Sequence, residues 1–268
     1  MRSTDPTRLS PWSLVPDFSI DQQRDCMQHI LYNGGCASDL SAAVLKSLLC
    51  DGEFGPAADM DACIVEMHHQ FVESNCLSHT ASSHQCKEFT RGRLGMRTET
   101  RHPTFGMSYK HAHIKAFVHF AASKALLHQD TQFAKLRYLC ISSLSVFISF
   151  CEACPLILQE WQRKYASQVG QRFLDCYSLL IADDRHRAGL PNYVHIFRDR
   201  PKVHALWHHV QHLLTSKMNV VTMFSCWQEE DLMGRIVRIS KRCHPSTNAL
   251  RTLQRWVLFI HTELIEAE

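Results

Sequence analysis

Between Trp161 and Leu180 a stripe of apolar and thiol side chains runs through Trp161, Tyr165, Val169, Phe173, Cys176 and Leu180, spaced 4, 4, 4, 3 and 4. That is the period of an α-helix, and a stripe of this length predicts one long helix with a buried face. The same spacing recurs at Ile64, Met67 and Phe71 inside a helix predicted over Asp59–Glu73, and at Leu250, Leu253, Val257, Ile260 and Leu264 near the end. No convincing β-strand run occurs in the N-terminal half, and Tyr193 to Phe197 leaves room for one short strand at most. The expected fold is mostly α, an irregular multi-helix bundle of about eight or nine helices.

Local breakers divide this pattern. Residues 1–20, rich in Pro, Ser and charge, read as a loose lead-in. A helical segment follows over 21–75, interrupted by "NGG" at Asn33–Gly35 and closed in part by "DGEFGP" at Asp51–Pro56. Residues 76–109 lose periodicity and gather glycines and basic side chains, as a loop or linker does. The main helical domain is expected over 110–268, with stops at Pro155 and at "HPST", His244–Thr247. A Ser225–Gln228 capping box opens the helix that carries "EEDLMGRIVRISKR".

The chain has 268 residues, enough for one large domain or two small ones. Its net charge of +3 is too small to argue for a nucleic-acid partner by itself. "MRSTDPTRLSPWSLVPDF" has no apolar run of signal-peptide length, so an intracellular location, cytoplasm or nucleus and not secreted, is expected, with its cysteines reduced. The longest apolar-leaning run, Tyr138–Cys151, is shorter than the ~20 residues of a membrane helix and contains Ser142, Ser143 and Ser145, so a core helix and no membrane partner are expected.

Five constellations could carry chemistry. His204, His208 and His212 recur every fourth residue and would form one column on a helix, where an i, i+4 pair can share a metal. Ala205 stands where a zincin has its glutamate, and the plainer reading is a semi-buried face with Trp207 and Val210 packing beside it. Cys76, His79, His84 and Cys86 offer four zinc-compatible ligands, against the alternative of an ordinary polar loop. Cys151 and Cys154 form a Cys-x2-Cys pair at the end of an apolar helix, where buried structural thiols are the simpler account. Basic residues cluster at Arg235, Arg238, Lys241 and Arg242, with Arg251 and Arg255 beyond. They cluster again from Lys87 to Lys115 through Arg91, Arg93, Arg97, Arg101 and Lys110; either group suits backbone phosphates or a solvated face. Finally, Glu229, Glu230 and Asp231 sit in the first turn of a predicted helix, where the macrodipole favours them. Carboxylates there could also hold magnesium if further acids converge, and Asp183 and Asp184 are the nearest upstream pair.

"RPKVHALWHHVQHLL" followed by "MFSCWQEEDLMGRIVRIS" resembles the C-terminal region of RNase H-like (DDE/D) transposases of eukaryotic mobile elements, over residues 190–260. Pro201 and His204 match the Pro-x-x-His element that opens a helix in such proteins, and Glu230 matches the place of the last catalytic acid ahead of Gly234. The resemblance implies nucleic-acid contact through Arg235 and Arg238, with Glu230 as a metal ligand and His204 positioning the site. No pair of strand-borne aspartates is recognised upstream, so the resemblance implies mobile-element origin more than a complete enzyme. DNA is the partner that follows. Zinc is the cofactor the Cys/His patterns would take, and magnesium enters only with a complete transposase-like site. The competing readings are a zinc-stabilised helical interaction module and a helical scaffold with neither metal nor nucleic acid.

Overall fold

The computed structural model describes residues 26–56, 58–74, 86–96, 102–106, 109–188, 196–223, 236, 237, 239–241, 243 and 250–258. Among the described residues eight helices follow one another: α1 (Met27–Leu31), α2 (Cys36–Cys50), α3 (Met60–Glu73), α4 (His111–Leu127), α5 (Gln132–Ala153), α6 (Glu160–Arg187), α7 (Pro201–Thr215) and α8 (Val220–Met223). No strand occurs among the described residues. Ile196 and Phe197 are irregular, and Tyr193–His195 lie outside the description, so the described part of the expected short strand is not formed. The chain divides into two compact units, Met1–Phe224 and Ser225–Glu268.

The first unit is the mostly α bundle the periodicity predicts. The turn between α1 and α2 is set by Gly34, whose φ of 58° suits glycine, and by Gly35. A Cβ on Gly35 would lie 2.1 Å from the Ile30 carbonyl oxygen, so the chain can fold back there only without a side chain. Asp59 caps α3 by accepting from the Ala62 N–H, and Ile64, Met67 and Phe71 are buried as their spacing requires. Thr131 caps α5 in the same way through Ala134 N–H, and Pro155 follows its end.

α5 is the hub, packed against α4, α6, α2 and α8. It extends beyond the apolar run visible in the sequence, to 22 residues, and is by length and composition alone apolar enough to cross a membrane. Its buried face, with Cys140, Ile141, Leu144, Phe147, Ile148 and Cys151, points into the bundle. Against it lies α6, whose buried set runs Ala166, Val169, Gly170, Phe173, Leu174, Tyr177, Leu180 and Ile181. The predicted α6 stripe is correct from Val169 onward, but Trp161 and Tyr165 stand 59% and 42% exposed. They pack on the half-buried Phe150 at the elbow between α5 and α6 instead of entering the core. At Gly170 a Cβ would come within 2.7 Å of Val210 and 3.1 Å of Phe147, so α5, α6 and α7 approach closely at that level.

The described parts of the irregular stretch between α3 and α4 are fastened by aromatic anchors. Phe89, Leu94, Phe105 and Tyr109 are buried, and Phe89, Phe105 and Tyr109 surround Phe117 of α4 at 4.5–5.3 Å between ring centroids. The Tyr109 hydroxyl donates to the Lys87 and Glu88 carbonyls. In the second unit, helical backbone occurs at 236–237, 239–240 and 250–258. Leu250, Leu253 and Val257 were expected to be packed. They are about three-fifths exposed, so their stripe forms a helix face without the burial its spacing suggested.

Candidate functional site on the exposed face of α7

Pro201 occupies the first turn of α7, where its missing N–H costs nothing. The buried side chains of the helix are Leu206, His209, Val210 and Leu213. Three- and four-residue steps then carry His204 and His208 to the opposite, exposed side, with His212 half-buried beyond them. The column the sequence predicts is therefore real, but it is not a semi-buried face: Val210 packs inward, while Trp207 is 40% exposed among the histidines. The His204 and His208 Nε2 atoms lie 3.0 Å apart. Their rings meet edge to face at 4.5 Å, and the Trp207 indole stacks on His204 at 5.8 Å with only 13° between the planes. Trp207 also meets His208 edge-on at 4.9 Å.

Charges immediately before and within the first turn tie this helix to α2. Arg200 Nε sits 2.7 Å from Asp39 Oδ2, its Nη1 donates to the Gly34 carbonyl, and Lys202 Nζ donates to the Asn33 carbonyl at 2.7 Å. Burial pushes the Asp39 carboxyl up, and a hydrogen bond from Thr104 and the positive charge of Arg200 act against that rise. The start of α7 is thus fixed to the Asn33–Gly35 turn, which holds the histidine face in place.

The other predicted site residues are arranged as follows. Cys86 is half-buried, and burial pushes its thiol up to about 12. Cys76, His79 and His84 lie outside the described residues, as do Arg97, Glu230, Arg235, Arg238 and Arg242. Arg91 is engaged with Asp61 through both Nε and Nη2, at 2.7 and 3.2 Å, and Arg93 donates to the Glu88 carbonyl. Lys241 is exposed. Asp183 pairs with Arg187, and Asp184 accepts the Ile196 and Phe197 N–H groups, which pins the connector ahead of α7 to α6. These two acids have structural work of their own. Among the described residues, no group of three or more His, Cys, Asp or Glu side chains is arranged to hold a metal. The described donor set therefore does not fit a paired-magnesium centre.

An open groove of about 500 Å³ lies between α6 and α7. Part of its polar lining is engaged within itself: Gln211 donates to Gln171, and Gln171 donates to Asp175. Nothing in it converges on a reacting atom.

The cysteines among the described residues are free. Cys36, Cys140 and Cys151 are buried, and burial raises each thiol, to about 12 for Cys36 and Cys151. Each folded-state value lies above the ordinary 9, so the protonated thiol is favoured by folding. Its contribution is complete below pH 9 and is lost as pH rises toward 12. These three thiols are expected to resist a disulfide reagent at pH 8 in the native protein and to react at once in denaturant, as read by mass-mapped labelling. Stability should fall steeply above pH 9.

Two further residues, neither of them marked by a motif, organise the bundle. Arg137 is fully buried in α5 and donates to Ser47 and Asp51. It is the only charge between Lys135 and Glu152, and a lone charge in an apolar helix is a signal that a partner must exist. Asn219, also fully buried, gave no such signal.

No protein-family model matches the chain, and comparison with curated proteins and with solved structures returns no match either.

Proposed function

We propose that this protein is a helical, nucleic-acid-contacting chain of transposase-like, mobile-element descent that carries no complete catalytic centre of its own. The observation that carries the reading is charge segregation. From Leu232 to Thr262 the chain bears Arg235, Arg238, Lys241, Arg242, Arg251 and Arg255 and no Asp or Glu. Those six positive charges, set against a whole-chain net of +3, leave the remainder at −3. Acids bracket the stretch at Glu229–Asp231 and again from Glu263, so it is a positive stripe and not a uniformly basic unit. Where described, it is helical at 236–237, 239–240 and 250–258, with Lys241 in a turn, and Lys241, Arg251 and Arg255 are exposed, which suits phosphate neutralisation.

DNA is the partner in this reading, because the resemblance that suggested it is to DNA-mobilising proteins. Glu230 and His204 would be relics or parts of a larger assembled site. The Lys87–Lys115 stretch is a second surface, in which Arg91 pairs with Asp61 and Arg93 donates to the Glu88 carbonyl. The test is a triple charge reversal, K241E with R251E and R255E, measured by fluorescence anisotropy on a labelled duplex. Binding is expected to weaken by more than tenfold, and the salt slope to flatten by about 0.9 for each phosphate that the variant no longer neutralises. Arg91→Ala should change affinity by less than about twofold, in keeping with the small effects of substituting surface charges already engaged elsewhere. Equal affinity for the triple variant and the parent would overturn the proposal.

A further inference from the structure

We infer that His204 and His208 form a two-histidine chelate on α7 for a borderline divalent transition metal, of the class of Ni²⁺, Cu²⁺ and Zn²⁺. This goes beyond the nucleic-acid reading and does not depend on it. The two Nε2 atoms are 3.0 Å apart on exposed side chains. Metal–imidazole bonds of about 2.0–2.1 Å at angles between square and tetrahedral put two ligand nitrogens roughly 2.9–3.4 Å apart. The separation thus matches a bidentate bite, and turning the two rings so that both lone pairs converge on one point completes it. The helix supplies the i, i+4 register, and its first turn is clamped to α2 by Arg200 and Lys202, so the ligands are preorganised.

The chemistry selects the class. Two neutral imidazoles suit nickel, copper and zinc and offer nothing to magnesium or calcium, which take oxygen ligands. Water would fill the remaining positions, leaving an open site able to accept a further ligand. The proton that one Nε2 donates to the other moves to Nδ1 of its own ring, so that two neutral imidazoles each present a free Nε2 lone pair to the metal. Trp207, in contact with both rings, reports occupancy directly: a paramagnetic ion held there quenches its fluorescence.

The experiment uses the full chain, freed of metal and kept reduced, titrated with Ni²⁺, which does not oxidise thiols. Calorimetry and tryptophan fluorescence are followed together. The expected result is a saturable site whose occupancy quenches fluorescence, with Mg²⁺ giving no signal. His204→Gln and His208→Gln should each weaken that site by about tenfold or more, because a single imidazole loses the chelate. Trp207→Phe should abolish the associated quench while leaving the binding heat. Because five tryptophans and other histidines are present, the difference between variant and parent is the reading that counts. A second measurement needs no variant: Ni²⁺ should protect His204 and His208, and not exposed His186, from diethyl pyrocarbonate, mapped by mass spectrometry. Unchanged affinity and quench in H204Q and H208Q, or no protection of the pair in the parent, would overturn the assignment.

Discussion

Asp51→Ala is expected to lower the unfolding free energy by roughly 3 kcal/mol, whereas Arg137→Met should leave it within about 1 kcal/mol of the parent or raise it. The asymmetry comes from where the two charges sit. The Arg137 side chain has no exposed surface, while the Asp51 carboxylate is 49% exposed. Only Nη1 of the guanidinium is satisfied, by Ser47 and Asp51; Nε and Nη2 are buried without a protein acceptor. Removing Asp51 leaves a full positive charge inside the bundle with one hydroxyl for company. Removing Arg137 leaves a carboxylate that water can solvate, and methionine fills the space along α5 with apolar atoms. Urea denaturation followed by circular dichroism at 222 nm measures both. Equal losses for the two variants would show that the pair acts as an ordinary mutual contact and that the burial argument is wrong.

The second large effect is expected at Asn219. Its side chain amide donates to the Cys151 carbonyl at 2.6 Å, with Cys154 and Pro155 carbonyls at 3.4 Å, and its Oδ1 accepts the Val221 N–H. These carbonyls lie at and just beyond the end of α5, where the helix's own N–H groups run out, and the Cys151 carbonyl also accepts the Cys154 N–H. The backbone around it closes the same joint: Leu158 N–H donates to the Lys217 carbonyl and Asn219 N–H to the Leu156 carbonyl, flanking the antiparallel bridge between Ile157 and Met218. One fully buried amide therefore welds the connector after α5 to the connector after α7. Asn219→Leu should cost about 2–4 kcal/mol, because the buried Cys151 carbonyl loses its amide donor and the half-buried joint around it loses its polar bridge. Asn219→Asp should cost more at neutral pH, where a carboxylate would face those carbonyls, and should regain part of the loss in acid as the carboxyl becomes a donor. A thermal melt at two pH values distinguishes the two variants. An aspartate variant as stable as the parent at neutral pH would contradict the hydrogen-bond assignment.

The helices of the first unit were legible because burial in a bundle imposes a 3-and-4 rhythm on the sequence. Ile64, Met67 and Phe71 show it without interference, and Asn33–Gly35 marks the turn before α2 by the one residue type that fits there. The rhythm was less informative where large side chains cover a helix end instead of entering the core, as Trp161 and Tyr165 do around Phe150. It also could not say which way a histidine column faces. His204, His208 and His209 are chemically alike, and only the burial of Leu206, Val210 and Leu213 decides that His209 turns inward and the other two outward. Asp184 illustrates the same limit for acids. Its neighbour Asp183 pairs with Arg187 one turn on, a contact that spacing suggests, but the Ile196 and Phe197 amides that Asp184 binds come from a separate segment. Arg137 was legible in principle as a lone charge on an apolar helix, and Asn219 was not, since a polar residue in a connector is ordinary.

The most direct test of the proposed function is the salt dependence of DNA binding by the intact chain. A labelled duplex is titrated at several salt concentrations, and the logarithm of the association constant is plotted against the logarithm of salt. If the stripe from Arg235 to Arg255 neutralises phosphates, the plot is linear and falls with a slope of about −0.9 for each phosphate engaged, so about three to six neutralised phosphates give a slope of roughly −3 to −5. A flat plot, or no binding at low salt, would contradict nucleic-acid contact and leave the zinc-stabilised interaction module and the helical scaffold as the competing accounts of this protein.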